Sequence, residues 1–424
     1  MPVKLLKNAT LQILLAISCG VLLGLLRPDL AIYMKPLSDG FVKLIGLLMP
    51  FIMFLLVCSG VASLHQQGKH VRLVRKVFVY FQLMSIVSLL LGMTTALLFN
   101  LDTTTAQIFP ERFVEAAAAF ANPATPAIEL FGEFFGGELW SSIYRALAQN
   151  LVLQVMLLAV ISGLLLPRIG QVGEVLQARL EVAISLLFRV LRLILKFAPA
   201  AAFGAMAFTV GKYGVVSILP LFKFVVVMYL VCALFVIFIL AGMARAVGIS
   251  LWRLTAYIKE ELLLVTFTGA SVAAIPGLIS KLEKLGCDRQ VVRLVLTTGY
   301  TFNLSGSNIY VTTSVMFLAH LAGVELSSVQ LIGVLLICLL TSLGSTSVAG
   351  SAFFTLIATL NMLHVIPLES VGLLLGVERL MKCRSLTNVL GNCVACLVIC
   401  CWQRSIDRVA LKDGLGCKEP SAIV

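Results

Sequence analysis

LVLTTGYTFNLSGSNIYVTTSVMFLA, residues 294–319, is long enough to cross a bilayer as one helix, yet Asn303-Leu304-Ser305-Gly306-Ser307 interrupts it at its centre. A spanning helix needs about 20 mainly apolar residues. In hydrocarbon, every backbone amide freed by a break must find a partner, and a bound ion or ligand can supply one. Upstream, RLTAYIKEELLLVTF (253–267) and VAAIPGLISKLEKLG (272–286) are each too short to cross alone and are joined by the small polar turn Thr268-Gly269-Ala270-Ser271. A helical hairpin that enters and leaves on the cytoplasmic side fits these lengths and the charged ends, Lys259 to Glu261 and Lys281 to Lys284. Downstream, VQLIGVLLICLLTSL (329–343) and FFTLIATLNML (353–363) flank Gly344 to Ser351, and a further long helix occupies 368–402. Hairpin plus broken helix, then hairpin plus polar helix, is the pattern of an inverted repeat whose interface holds a site at the membrane midplane. Asn303 and Asn388 occupy comparable places in the two halves.

Outside this region the chain is plainer. Of its 424 residues 60% are hydrophobic and 12% charged, with a mean hydropathy of +1.05, which excludes a soluble globular domain. Uninterrupted apolar stretches near 9–26, 41–63, 77–99, 148–166, 180–209 and 217–243 read as spans. With the broken helix (291–320), the last helix (368–402) and the hairpins at 253–285 and 329–363, the reading is an all-α integral membrane protein. It has eight transmembrane helices plus two re-entrant helical hairpins. Lys4 and Lys7 precede an apolar run without a cleavage site, so the first helix is read as retained rather than as a signal peptide.

The net charge of +12 resides in short loops and points to orientation rather than to nucleic acid. Lys69, Arg72, Arg75 and Lys76 mark a cytoplasmic loop, whereas Asp102, Glu111, Glu115, Glu129, Glu133 and Glu138 against Arg112 mark an external one. Arg404, Arg408, Lys412 and Lys418 follow the last span, which places both termini inside. The segment from 101 to about 142 reads as an external excursion with short helices or as a plain linker. Arg189, Arg192 and Lys196 form a basic stripe near Pro199 that reaches toward headgroups, with substrate binding the less favoured use.

The eleven cysteines are not a disulfide framework, since most sit inside apolar helices. Cys393, Cys396, Cys400 and Cys401 recur at helical spacing; packing is favoured over metal, because zinc sites need convergent ligands from separate segments. An enzyme is disfavoured: the broken segments hold no pair of acids and no Ser/His or His/Glu set, and His65, His70, His320 and His364 are scattered.

An arginine deep in a spanning helix needs a partner, which singles out Arg384, either as a ligand for substrate or in a structural pair with Glu378. Its planar fork suits a carboxylate, and Asn388 lies one turn later on the same face. Ser271 and the amides from Ser347 to Gly350 open half-helices that favour the opposite end of an anion. Each helix N-terminus contributes about half a charge, so two tips and one arginine roughly balance a dianion. An ammonium group would need an acid beside Arg384, but Leu380 and Met381 lie one turn before it and Lys382 repels cations. Substrates such as succinate, fumarate or malate fit better than amino acids.

These residues resemble the dicarboxylate/amino acid:cation symporters, and within them the bacterial aerobic C4-dicarboxylate carriers. The likeness covers nearly the whole chain, through MKPLSDGFVKLIGLLMPFIMF (34–54), FGAMAFTVGKYG (203–214), KLEKLG (281–286), TTGYTFNLSGSNIY (297–310), VAGSAF (348–353) and RSLTNVLGN (384–392). It implies a glutamate-transporter-like elevator fold and a homotrimer. Its scaffold would hold 1–72 and 101–212, its transport domain 73–100 and 213–404, with a cytoplasmic tail at 405–424. Carried onto matching positions, it implies substrate contacts from Ser271, Ser307, Val348, Gly350, Arg384 and Asn388. It likewise implies a cation site from Gly299, Asn303, Ser305, Asn388 and Asn392. No cofactor is implied beyond a coupling Na+ or H+.

Departures from that family are specific. A serine-rich first tip is reduced here to Gly269-Ala270-Ser271-Val272; Ser305 stands where an aspartate is usual; Glu378 is near the usual early aspartate, one residue closer to Arg384. A sodium site of carbonyls, Asn303, Ser305, Asn388 and Asn392 lacks a formal negative charge, so weak or absent sodium dependence is expected, with Glu378 as a candidate for proton coupling. The competing functions are a non-transporting dicarboxylate sensor and an aspartate or glutamate symporter.

Overall fold

The computed structural model describes residues 9–66, 71–98, 151–322, 324, 326–345, 350–363, 366 and 370–415. The excursion expected at 101–142 lies outside them, as does Val348. Nineteen α-helices are described: α1 Ala9–Leu26, α2 Pro28–Ile32, α3 Lys35–Gln66, α4 Val71–Leu98, α5 Leu151–Leu165, α6 Gln171–Ile194, α7 Ala198–Tyr213, α8 Ile218–Leu234, α9 Ala241–Ala246, α10 Leu251–Tyr257, α11 Lys259–Thr268, α12 Ile275–Lys284, α13 Arg289–Phe302, α14 Ser305–Leu321, α15 Ser328–Ser342, α16 Ser351–Leu363, α17 Val371–Glu378, α18 Cys383–Trp402 and α19 Arg408–Gly414. Among the described residues the only β pairing is an isolated bridge between Cys287 and Ile406.

Among the described residues, five continuous helical stretches are long and apolar enough to cross a membrane: Pro28–Ala62, Arg72–Leu98, Gln171–Tyr213, Val215–Ala246 and Cys383–Trp402. The burial pattern suits hydrocarbon. Leu26, Leu98, Phe222 and Phe238 are largely exposed, while Thr312, Thr313, Ser314, Asn303 and Asn392 are buried. An apolar exterior of this extent is not left uncovered in a water-soluble monomer. α14 and α18 form the centre: α14 packs against α4, α18 and α16, and α13 packs along α18. α1 lies along α7, and α3 packs against α5.

In each of the two regions expected to form hairpins, the two arms are in contact. In the first, Tyr257 Oη donates to the Lys281 carbonyl at 3.3 Å, and Lys281 Nζ donates to Glu261 at 2.7 Å and Glu260 at 3.0 Å. In the second, the Thr341 and Thr359 hydroxyls meet at 2.8 Å. Each tip contains a glycine with left-handed backbone, Gly269 at φ 69° and Gly350 at φ 85°, a conformation that a Cβ disfavours.

Three boundaries differ from expectation. The span expected at 180–209 is two helices, α6 and α7, separated by a 3₁₀ turn at Leu195–Phe197. Pro199 in the first turn of α7 has no N–H to continue the ladder of α6. The hairpin segment after Ser271 begins as a 3₁₀ turn, Ser271–Ala274, and α12 starts only at Ile275 with Pro276 in its first turn. Finally, the helix expected over 368–402 breaks between Glu378 and Cys383. Neither Pro nor Gly lies there; the turn is held by tertiary partners, with Tyr229 Oη donating to the Leu380 carbonyl at 2.7 Å and Arg384 reaching back to Glu378. Both halves of the repeat therefore contain a hairpin and a broken helix, and Asn388 lies past the second break rather than at a place equivalent to Asn303.

Candidate functional site

A small cavity of about 10 Å³ lies where Gly269 and Gly350 meet the start of α18; Gly269, Gly350, Glu378, Arg379, Lys382 and Arg384 are among the residues lining it. Such a space holds about one water, so Gly269 and Gly350 stand nearly closed on α18. A more apolar cleft adjoins it, sharing Gly350, Glu378 and Arg379.

Its charges are arranged by the break between α17 and α18. Arg384 is 6% exposed and donates from Nη2 to Glu378 Oε1 at 2.7 Å. Glu378, equally buried, is also 3.6 Å from Arg379 Nε. The structural pair is thus formed, while Arg384 Nη1 has no hydrogen-bond partner. The Tyr310 ring lies 4.9 Å from the guanidinium carbon, a cation–π contact that holds the side chain. A Cβ on Gly269 would come within 2.9 Å of Lys382 Nζ, so that ammonium sits against the first tip. Three cations face one carboxylate in this lining, leaving two positive charges uncompensated.

Ser271 is buried and donates to the Ser385 carbonyl at 3.3 Å, and Ser385 Oγ donates to the Gly269 carbonyl at 3.2 Å. These bonds clasp the first tip to α18. Arg379 and Ser385 were not singled out from sequence, and Lys382 was read only as a repulsive charge. Their placement depends on the break at 379–382, for which the residues give no local signal.

The first break has a separate arrangement. α13 ends at Phe302, and Asn303 (φ −126°, ψ 65°) and Leu304 (φ −104°, ψ 55°) leave helical geometry. Asn388 Oδ1 accepts from the amides of Gly306 at 2.8 Å and Ser307 at 3.3 Å, while Asn388 Nδ2 donates to Ser307 Oγ at 3.1 Å. The freed amides expected to seek a ligand are met by this side chain. Asn388 and Ser307 are therefore engaged with each other rather than with the cavity, which neither of them lines.

What remains open at the break is acceptor oxygen, together with the amide nitrogen Asn392 Nδ2. Asn303 Nδ2 donates to Asn392 Oδ1 at 3.0 Å, but Asn303 Oδ1 and Ser305 Oγ, both buried, have no hydrogen-bond partner. Asn303 Nδ2 and Ser305 Oγ each lie 3.9 Å from where a Cβ on Gly391 would stand, and a Cβ on Gly299 would collide with Asn392 Oδ1. Gly299, Asn303, Ser305 and Asn392 therefore form one buried cluster next to Asn388, with unsatisfied oxygens able to accept a small cation and no formal charge among them.

The two clusters touch through backbone: a Cβ on Gly306 would strike the Arg384 carbonyl oxygen. Neither backbone can yield without moving a helix. Gly306→Ala is expected to destabilise the protein by about 1–3 kcal/mol, seen as a lower unfolding midpoint in detergent. Gly242→Ala, where a Cβ meets nothing within 4 Å, is the control that keeps the midpoint.

Residues 9–402 match the profile described as the sodium:dicarboxylate symporter family. A C4-dicarboxylate transport protein of Paraburkholderia xenovorans is 41% identical over 423 residues, 97% of either chain. C4-dicarboxylate transport protein 1 of Ralstonia nicotianae is 40% identical over 401 residues, 94% of this chain and 93% of its own. A C4-dicarboxylate transport protein of Burkholderia thailandensis is 41% identical over 411 residues, 95% of this chain and 94% of its own.

Proposed function

The chain belongs to the sodium:dicarboxylate symporter family, and from that membership we propose that it carries a C4-dicarboxylate of the succinate, fumarate and malate class across the bacterial inner membrane. The observation that supports this reading most is the cavity between Gly269 and Gly350, where Arg379, Lys382 and Arg384 face the single carboxylate of Glu378. A net charge of two suits two carboxylates, and the open Nη1 of Arg384 supplies a directed donor. An amino acid would need an acid for its ammonium group. Glu378 is the acid at hand, but Arg384 and Arg379 already hold it.

In this reading Ser271, Gly350 and Arg384 are the substrate-facing positions, joined by Val348 from the second tip. Asn388 and Ser307 act one step back, holding the broken helix on which the cation cluster of Gly299, Asn303, Ser305 and Asn392 is built. The hairpins dip into the membrane without crossing, eight helices span it, and both termini face the cytoplasm. Segments 73–100 and 213–404 move against a scaffold of 1–72 and 101–212 within a homotrimer. The closeness of both tips to α18 supports occlusion of one substrate rather than a continuous pore.

Purified protein in liposomes, given labelled succinate or aspartate with sodium and pH gradients imposed separately, tests the proposal. Succinate accumulation without aspartate accumulation is expected. Counterflow exchange separates a carrier from a dicarboxylate sensor, which would bind succinate and exchange none. Because the cation cluster is uncharged, replacing sodium by choline at constant pH should leave most of the uptake; abolition of uptake would show that sodium is obligatory.

A further inference from the structure

Outside the transport site, three thiols converge. Cys396 and Cys400 stand one turn apart on α18, and Cys287 joins them from the connection between α12 and α13; their Sγ atoms all lie within 4.8 Å of one another. All three are buried: Cys287 is 5% exposed and the other two 0%. Helical spacing alone would make Cys396 and Cys400 packing residues. Convergence from a second segment is what a metal site requires in addition, and here Cys287 provides it.

The backbone that delivers Cys287 is fixed. Cys287 bridges Ile406 in antiparallel fashion, Asp288 N donates to the Ser405 carbonyl at 3.0 Å, and Asp407 N donates to the Gly286 carbonyl at 2.8 Å. Ser405 N in turn donates to the Cys400 carbonyl at 3.0 Å. A short clip thus pins the first repeat's connection to the end of α18, with the sulfurs beneath it. At metal–sulfur distances of about 2.3 Å, three sulfurs around one ion stand roughly 4 Å apart, so sub-ångström rotations of these side chains close the site.

We infer that Cys287, Cys396 and Cys400 form a three-coordinate site for a thiophilic closed-shell cation of the Cu(I) class, tying the first hairpin's exit to the last helix. Soft thiolates select such ions, and Zn(II) would demand a fourth ligand. Binding displaces the thiol protons to water and needs no oxidant.

The test uses the full chain in detergent under anaerobic conditions, titrated with Cu(I) against a Cu(I) chelator, with X-ray absorption reporting the ion's neighbours. One tightly held Cu(I) with a sulfur-only shell is expected. Partners one shell out from a metal cost 10–100-fold, so Cys287→Ala and Cys400→Ala, small apolar replacements that spare the packing, should each weaken binding at least about 100-fold. Cys393→Ala, on the same helix but outside the cluster, should leave it unchanged. Cu(I) held as tightly by Cys287→Ala, or an ion with nitrogen or oxygen neighbours in the unaltered chain, overturns the proposal. So does Zn(II) bound more tightly than Cu(I).

Discussion

Arg384→Ala is expected to lower succinate uptake sharply and to destabilise the protein, and the two effects come from different partners. On the structural side, the substitution strands Glu378, buried and left with only Arg379 at 3.6 Å. Removing one partner of a buried pair costs about 3–5 kcal/mol. On the binding side, a hydrogen bond to a charged group contributes about 1.5–3 kcal/mol, so losing the guanidinium weakens succinate affinity by roughly 10- to 100-fold. The double variant Arg384→Gln with Glu378→Gln separates them. It removes both buried charges and leaves Arg379 and Lys382 as two unpaired cations, the same net charge as the native lining. Melting should recover most of the lost stability, while succinate binding by calorimetry should stay weak. Native affinity in the double variant would mean that Arg384 serves only to neutralise Glu378, and the proposed contact to substrate would fall.

How much of this was readable in the residues depended on whether a feature was local. The paired arms were legible because arm length, a small polar turn and charged feet are all sequence properties, and Tyr257 with Lys281 and Thr341 with Thr359 bring those arms into contact. The break at Asn303 was legible for the same reason. The split of 180–209 was legible in principle, since Pro199 stood in the stretch; its apolar continuity hid the boundary. By contrast, nothing local marks the break after Glu378. It is held by Tyr229, 151 positions earlier, and by the Arg384 pair, so only the fold reveals that Arg379 and Lys382 turn into the cavity. Asn388 was assigned to substrate from helical spacing, but spacing does not say that the amides of Gly306 and Ser307 lie within hydrogen-bond reach. Cys287 is a further instance: more than a hundred positions separate it from its companions.

The two breaks are coupled through short backbone contacts. Gly306 opens α14 against the carbonyl of Arg384, and Asn388 caps α14 from one turn further along α18. Movement of α18 on filling the anion cavity would therefore be felt at Ser305, and ordering of the break by a cation would be felt at Arg384. This is the reciprocity that linkage demands of any two coupled sites. In this chain the anion half is strongly charged and the cation half is not.

Ser305→Asp supplies the missing charge and should convert the carrier to sodium dependence. Ser305 is fully buried and its hydroxyl has no hydrogen-bond partner, so a carboxylate there has no counter-charge in the cluster of Asn303, Asn388 and Asn392. An uncompensated buried charge costs several kcal/mol, and in choline the variant should melt well below the native protein. Sodium should restore it: an ion present at 100 times its dissociation constant stabilises by about 2.7 kcal/mol. Uptake should follow the same course, with succinate transport by the variant rising about tenfold or more when sodium replaces choline, against little change in the native chain. Equal melting and equal uptake of Ser305→Asp in sodium and choline would mean that the oxygens of Asn303 and residue 305 do not face a common ion, and the cation cluster would have to be sought elsewhere. A native chain as sodium-dependent as the variant would instead place sodium on neutral oxygens alone, and the absence of a carboxylate at the break would then carry no consequence for coupling.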